Sequence, residues 1–558
     1  MTRPTSRLLT MGVAAVLALG LLGEGGATNA ASAATTESAA TAAPTTAKKP
    51  GLRFAPASRT VQAYAYDGYV YLDSAVWLAA YGETHEFWAK RNKASDPVSL
   101  TRTVIRDGKR TTTKAPAAIV DGLNGFKDGL TVRVRTPKGK ILAKDTRSLC
   151  LSGSDRQRVE PTGRTEPVYP SFCGGSWFTK SSVSGVEQGW ATKLDAFFEV
   201  ETKQKTLVMT VIISDPVADF LGLPAKGRAV TQRVEIVDEC EIWDCGEIGE
   251  ELMGAPAEGF SSLQDGDPVS VRAESLRAQS GHAGHGATST GSEHRTNLFS
   301  LGDAAHAGGD HPALGQRGST PSNSEPAKDT LPDLVSAPAW QIGTEVDEDG
   351  TDRLTFNANE WNAGPAPLVV EGYRRGAGEL MDAYQFFYQD GKEVGSTKTG
   401  TMEYHQAPEH NHWHFLDFAS YELVTTKGKP VTPSGKQSWC LAPTDPVDLS
   451  VPGAVWRPEA TGLDSTCGDR SAIWLREVLP VGWGDTYNQS QTQAFDLTKV
   501  KNGTYQIKIT VNPNGALHEQ TMSNNVSYRT VVLGGKPGKR TVKVPPYEGV
   551  DTEVVTER

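Results

Sequence analysis

Gln506-Ile507-Lys508-Ile509-Thr510-Val511 alternates polar and apolar residues with a period of two. Side chains of a strand point alternately to opposite faces, so this stretch makes a ribbon with one side for a core and one for water. Tyr528 to Leu533 follows, rich in β-branched and aromatic residues that suit a pleated surface. Further out, Thr131 to Arg135 shows the same alternation, and Leu207 to Ile213, Val230 to Val237 and Leu423-Val424 read as strands. Asp-Gly pairs at 107, 121 and 128 and Pro137-Lys138-Gly139 supply turns. No long stretch carries helical periodicity, so the expected fold class is all-β.

At 558 residues the chain is long for one unit at about 150 residues per domain. Residues 1–33 read as a secretory signal peptide: Arg3 and Arg7, an apolar run from Met11 to Leu22, then Ala31-Ser32-Ala33 for cleavage. An Ala/Thr-rich spacer occupies 34–50. Residues 51–254 form an N-terminal β-sandwich region, either one large unit or two immunoglobulin-like units divided near residue 150. From 255 to 329 the chain is Gly, Ser, Ala and His with few apolar residues to offset ordering entropy, which predicts a disordered linker. Five of the 11 histidines fall there, His282, His285, His294, His306 and His311, and read as solvated linker residues. A second β region spans 330–534, and 535–558 reads as a Lys- and Pro-containing tail.

The net charge of −10 argues against a nucleic-acid partner, which calls for a phosphate-neutralising surface. No internal apolar run of about 20 residues predicts a membrane span. The expected location is extracellular, where six cysteines favour disulfides. Their positions suggest the local pairs Cys150–Cys173, Cys240–Cys245 and Cys440–Cys467.

The chemistry concentrates at His410-Asn411-His412-Trp413-His414. In a strand the three histidines share one face, and neutral imidazoles so placed hold copper or zinc. The outer two Cα atoms of an ideal strand would lie about 13 Å apart at ~3.3 Å per residue, so convergence on one ion requires the strand to curl. Irving–Williams ordering favours Cu(II) at an all-nitrogen site. A zinc hydrolase would need a carboxylate base, for which Asp417 is at hand.

The segment His410 to Leu423 resembles the copper-binding segment of the lysyl oxidases. Gly435-Lys436-Gln437-Ser438-Trp439-Cys440-Leu441 is similar to the family segment carrying the cofactor lysine, which puts Lys436 in that role. Gly484-Asp485-Thr486-Tyr487 is similar to the segment carrying the cofactor tyrosine, which puts Tyr487 there. Leu331 to Leu334, Tyr505 to Pro513 and Asn524-Asn525-Val526 extend the resemblance in order over about 200 residues. It implies a lysyl-oxidase-like β-sandwich with copper bound by His410, His412 and His414, and a self-derived lysine tyrosylquinone cross-linking Lys436 to Tyr487. The implied activity is oxidative deamination of primary amines, peptidyl lysine or small amines, by dioxygen, yielding aldehyde, ammonia and hydrogen peroxide. Asp417 and Asp485 are the candidate bases.

Animal relatives also bind calcium, and Asp333, Leu334, Glu519, Asn524 and Asn525 match that site, with Thr521 where a carboxylate is expected. This domain holds two cysteines, fewer than the animal members. His405, five residues before the first ligand, reads as a loop histidine or one supporting the ligands. The N-terminal region would then place the enzyme on a surface, matrix or substrate. The competing expectation is a non-catalytic secreted copper-binding or adhesion protein with a degenerate oxidase domain, which would have no use for Lys436 and Tyr487.

Overall fold

Burial along Thr206–Ile213 shows what drives the architecture: Leu207, Met209, Val211 and Ile213 are buried and the residues between them are half-exposed. Each such apolar side chain taken out of water contributes roughly 1.5–3 kcal/mol, and a strand collects them on one face. The computed structural model describes residues 49–66, 69–153, 155–161, 163–194, 196–238, 326–407, 410–434, 438–488 and 493–553. The expected signal peptide, all but the last two residues of the spacer, residues 239–254 of the N-terminal region with the Cys240–Cys245 pair, and residues 255–325 of the expected linker lie outside them. Strands dominate; among the described residues there is one α-helix, Asp215–Leu221, closed by Gly222 at φ 73°.

The N-terminal lobe has a seven-stranded sheet in the order 198–201, 69–72, 60–66, 229–238, 206–213, 126–135 and 141–149. Its one parallel pair joins 60–66 to 229–238. Two four-stranded sheets complete the lobe. One core cluster runs from Leu52 to Val234 and draws on residues from both sides of residue 150. The disulfide Cys150–Cys173 pins its long loop, with Cα atoms 5.7 Å apart. Asp107-Gly108 makes the hairpin turn between 99–106 and 109–114, with φ positive at both residues.

The C-terminal lobe is built from three sheets around a second core. One is centred on the strand Asp352–Asn362, which pairs with 334–336, 340–346, 483–487 and 494–496. The second runs 410–415, 392–407, 380–389, 368–374 and 474–479. The third runs 430–433, 419–425, 503–511, 526–536 and 539–543. Lys539–Lys543, within the segment read as a tail, is its edge strand, and the fold continues as far as Glu553, whose carboxylate accepts from the Ile342 amide. Lys and Pro suggest a tail, but Val542 alternates with polar neighbours and packs against the core.

The two lobes are in contact. Their backbones meet in a parallel bridge between Ser181 and Asp448, and Lys180 N–H donates to Val447 O at 2.7 Å.

Candidate metal and cofactor site

The hairpin formed by Lys392–Ala407 and His410–Phe415 sets His405 opposite His412 and Glu403 opposite His414. His412 and His414, two residues apart, share a face. Their Nε2 atoms stand 2.8 Å apart and their ring centroids 4.6 Å apart. Two nitrogens bound at about 2.0 Å and at right angles on one ion would be about 2.8 Å apart, so the pair fits a shared metal. His405 stacks on His414 with centroids 5.4 Å apart, adding a third imidazole from the neighbouring strand. Sequence reasoning left His405 without a firm role because only strand pairing shows what it faces. His414 is buried, and its Nδ1 lies 3.3 Å from Ser438 Oγ, a contact that orients the ring. The His410 side chain is outside the described residues, among which no group of three or more His, Cys, Asp or Glu closes on one point.

Ser438 to Leu441 joins the histidine strand to the strand Trp483–Tyr487. Phe415 and Trp439 exchange both backbone hydrogen bonds, at 2.7 and 3.1 Å. One residue on, Cys440 N–H donates to the Tyr487 hydroxyl at 2.7 Å, and that hydroxyl lies 3.3 Å from Cys440 O. The Tyr487 ring packs on Trp439 with centroids 3.9 Å apart. Cys440 is bonded to Cys467, whose carbonyl accepts from the Trp413 amide at 2.9 Å, so the disulfide ties this segment to the histidine strand. Lys436 lies outside the described residues. On its described flanks are Ser438, at His414, and Ser434, whose amide donates to Tyr421 O at 3.0 Å.

Beneath Tyr487 lies a set of buried acids. Asp485 precedes it by two residues on the same strand face and accepts from Ala442 N–H at 3.3 Å. Glu360 is opposite Asp485 in the strand register, is fully buried, and has no hydrogen-bond donor at either carboxylate oxygen. Glu477 accepts from Leu441 N–H at 3.0 Å. Burial, then the Asp485 charge, pushes the Glu360 carboxyl well above the usual range; burial does the same for Glu477. The Tyr487 phenol is pushed well up by burial and then by Asp485. Such a site keeps protons that solvent-exposed acids would lose. Asp417, by contrast, sits exposed in a turn at φ 60°.

Glu360 was missed from sequence because Asn357, Asn359, Glu360 and Asn362 make its strand read as polar. The strand is nonetheless buried almost throughout.

The expected calcium residues are brought together. Glu519 accepts from Leu334 N–H at 3.1 Å, from Asn525 Nδ2 at 2.7 Å and from Asn512 Nδ2 at 2.6 Å, and Asn524 Nδ2 donates to Asp333 at 3.1 Å. Burial raises the Glu519 carboxyl. The side-chain oxygens of Asn524 and Asn525 are buried acceptors without a donor, which suits a hard cation.

The family profile of lysyl oxidase matches residues 390–539, the stretch holding the histidine hairpin, Cys440 and Tyr487. Lysyl oxidase homolog 4 of Homo sapiens is 30% identical over 202 residues, 36% of this chain and 24% of that protein. Its Mus musculus counterpart is 29% identical over 199 residues, 35% of this chain and 24% of the relative. Lysyl oxidase homolog 2 of Rattus norvegicus is 26% identical over 200 residues, 36% and 24% of the two chains. The match thus spans about a quarter of the length of these relatives. The match lies wholly within the C-terminal lobe, where residues 390–539 form a lysyl-oxidase-like domain. No helix among the described residues is long and apolar enough to cross a membrane.

Proposed function

We propose that this protein is a secreted copper-dependent amine oxidase that converts primary amines, peptidyl lysine or small amines, to aldehydes. The balance is R–CH2–NH2 + O2 + H2O to R–CHO + NH3 + H2O2. The observation that carries it is the paired Nε2 atoms of His412 and His414 joined through Ser438–Cys440 to a buried Tyr487. Copper held by His410, His412 and His414, with a lysine tyrosylquinone built from Lys436 and Tyr487, would supply the oxidant and the electron sink.

The chain's own residues supply placement and proton control. Ser438 orients His414 so that Nε2 faces His412. The Cys440 backbone holds the Tyr487 oxygen in one position, and Trp439 covers its ring from water. Of the two candidate bases Asp485 is favoured over Asp417, because it is buried beside the tyrosine and Asp417 is in a solvent-exposed turn. It stands beside Glu360 and Glu477, whose carboxyls burial pushes up, and as the general base of the group it would take up the substrate α-proton. Glu519 and its asparagines would hold calcium as a structural ion.

The test is the visible spectrum of copper-loaded protein with and without phenylhydrazine, beside Lys436→Ala and Tyr487→Phe. A quinone band and hydrazone adduct lost in both variants supports the oxidase. A colourless protein that binds one copper and forms no adduct overturns it in favour of a non-catalytic copper-binding or adhesion protein.

A further inference from the structure

The hydrogen bonds between the lobes run mainly between one short stretch of each. From the N-terminal lobe comes the stretch from Pro167 to Ser181, which begins just inside the Cys150–Cys173 loop. From the C-terminal lobe comes the stretch from Asp445 to Arg457. Ser176 Oγ donates to Asp445 at 2.9 Å, Thr179 Oγ1 to Pro446 O at 2.7 Å and Ser181 Oγ to Asp448 at 2.6 Å. Arg457 donates to Pro167 O at 2.7 Å.

Aromatic rings flank these bonds on both sides. Tyr169 stacks on Trp456 with centroids 5.7 Å apart, and Phe172 meets Trp483 edge-on at 5.7 Å. Phe178 packs on Trp340 at 5.1 Å, and Trp177 on Tyr547 at 5.5 Å. The centre is dry: Thr179, Ser181, Asp445, Val447 and Leu449 are all buried. A buried aromatic centre with satisfied polar bonds is the anatomy of a lasting interface rather than of a hinge between free modules.

The contact also reaches the candidate site. Asp445 and Pro446 pair with Gly484 and Trp483, on the strand that ends in Tyr487. Thr444 Oγ1 accepts from the Thr486 amide at 2.6 Å, and Ala442 N–H donates to Asp485. The stretch gripped by the N-terminal lobe is therefore the same one that braces the backbone around Asp485 and Tyr487.

We propose that the N-terminal lobe is a permanently docked partner of the oxidase domain, bound through the Pro167–Ser181 surface. A cut anywhere in the connecting residues 255–325 then leaves a non-covalent two-chain protein, with the N-terminal lobe still clamping the Tyr487 strand. The docking does not depend on the functional reading; only the significance of the clamped strand rests on it.

The experiment inserts a site-specific protease sequence within residues 255–325 of the full chain, cuts it, and runs gel filtration in native buffer. A denaturing gel confirms that the fragments are not covalently joined. Co-elution at the size of the uncut protein is expected; separate elution of two fragments overturns the proposal. Ser181→Asp sets a carboxylate against Asp448 and should raise the dissociation constant of the cut pair at least tenfold. Trp456→Ala, at the rim of the contact, serves if that variant fails to fold. In the uncut Ser181→Asp protein, amides of 444–448 and 483–487 should lose hydrogen-exchange protection while those of 503–511 keep it. Undiminished co-elution of the cut variants, or unchanged protection at 483–487, refutes the assigned clamp. Neither readout uses copper, cofactor or activity, so failure here is distinguishable from failure of the amine oxidase reading.

Discussion

Glu360→Gln is the most informative single change in the buried acid set. The wild-type carboxyl is fully buried with no donor at either oxygen, and it stands opposite Asp485 in the register. Burial and the Asp485 charge raise its pKa, so the folded state keeps a proton that the unfolded chain releases near pH 4.5. Where the folded state binds more protons, stability falls as pH rises, by about 1.4 kcal/mol per pH unit for each proton. That loss begins above the unfolded pKa and stops only when the folded pKa is passed. Glutamine cannot ionise, so one proton's worth of this slope should vanish. Relative to wild type, the variant gains up to about 1.4 kcal/mol for each pH unit above the unfolded pKa, for as long as the wild-type carboxyl stays protonated. For a lobe of this size each such pH unit is worth about 3 °C or more in the melting midpoint. The slope decides the matter, since a buried amide carries a desolvation cost of its own that does not change with pH. The assay is the thermal midpoint of the metal-free protein at pH 5, 6 and 7. Parallel wild-type and Glu360→Gln lines would refute the idea that this carboxyl is held protonated.

Other outcomes follow from the same geometry. His414→Ala removes the buried imidazole that faces His412 and should weaken copper binding by at least a hundredfold in a competitive chelator titration. His405→Ala, which removes the imidazole stacked on His414 from the neighbouring strand, should cost less than tenfold. Replacing Cys440 and Cys467 by serine opens a loop whose ends are 27 residues apart; chain entropy puts the loss at about 3.5 kcal/mol, readable by urea denaturation. If Asp333, Glu519 and the two asparagines hold calcium, adding millimolar calcium to chelator-treated protein raises the melting midpoint, and Asp333→Ala abolishes the rise.

The strands with regular alternation were legible because one face of each meets water. Gly503–Val511 and Thr206–Ile213 are such strands, and both lie where periodicity put them. The strand Asp352–Asn362 was not, because it is covered on both faces and fills its buried positions with asparagine and glutamate as well as Leu354 and Phe356. Period-two reasoning has no purchase on a strand without a wet side. In the site, spacing alone put His412 and His414 on one face. It could not bring in His405, Ser438 or Glu360, whose places depend on which strand pairs with which. The lobe contact was hidden for a similar reason: nothing in the sequence around Tyr169 and Trp177-Phe178 tells which surface lies opposite them.

The choice between an oxidase and a hydrolase turns on what surrounds the histidines. A zinc hydrolase needs an open metal position and a carboxylate near the bound water. Asp417 does not qualify in its exposed turn, while Glu403, opposite His414, has the right register and is exposed. A hydrolase could use Glu403, but it has no use for a tyrosine sealed from water on a tryptophan, with three buried carboxyls beneath it. Keeping Glu360, Glu477 and Asp485 out of water is costly, and a fold that needed only a metal-bound hydroxide could fill those positions with apolar side chains at no loss. Proton-holding groups below a buried phenol suit chemistry in which that ring changes its oxidation and protonation state. The acid set therefore weighs toward the oxidase independently of the histidines. Glu403→Gln separates the two: it should leave phenylhydrazine labelling intact if the protein is an oxidase and abolish turnover if it is a Glu403-dependent hydrolase.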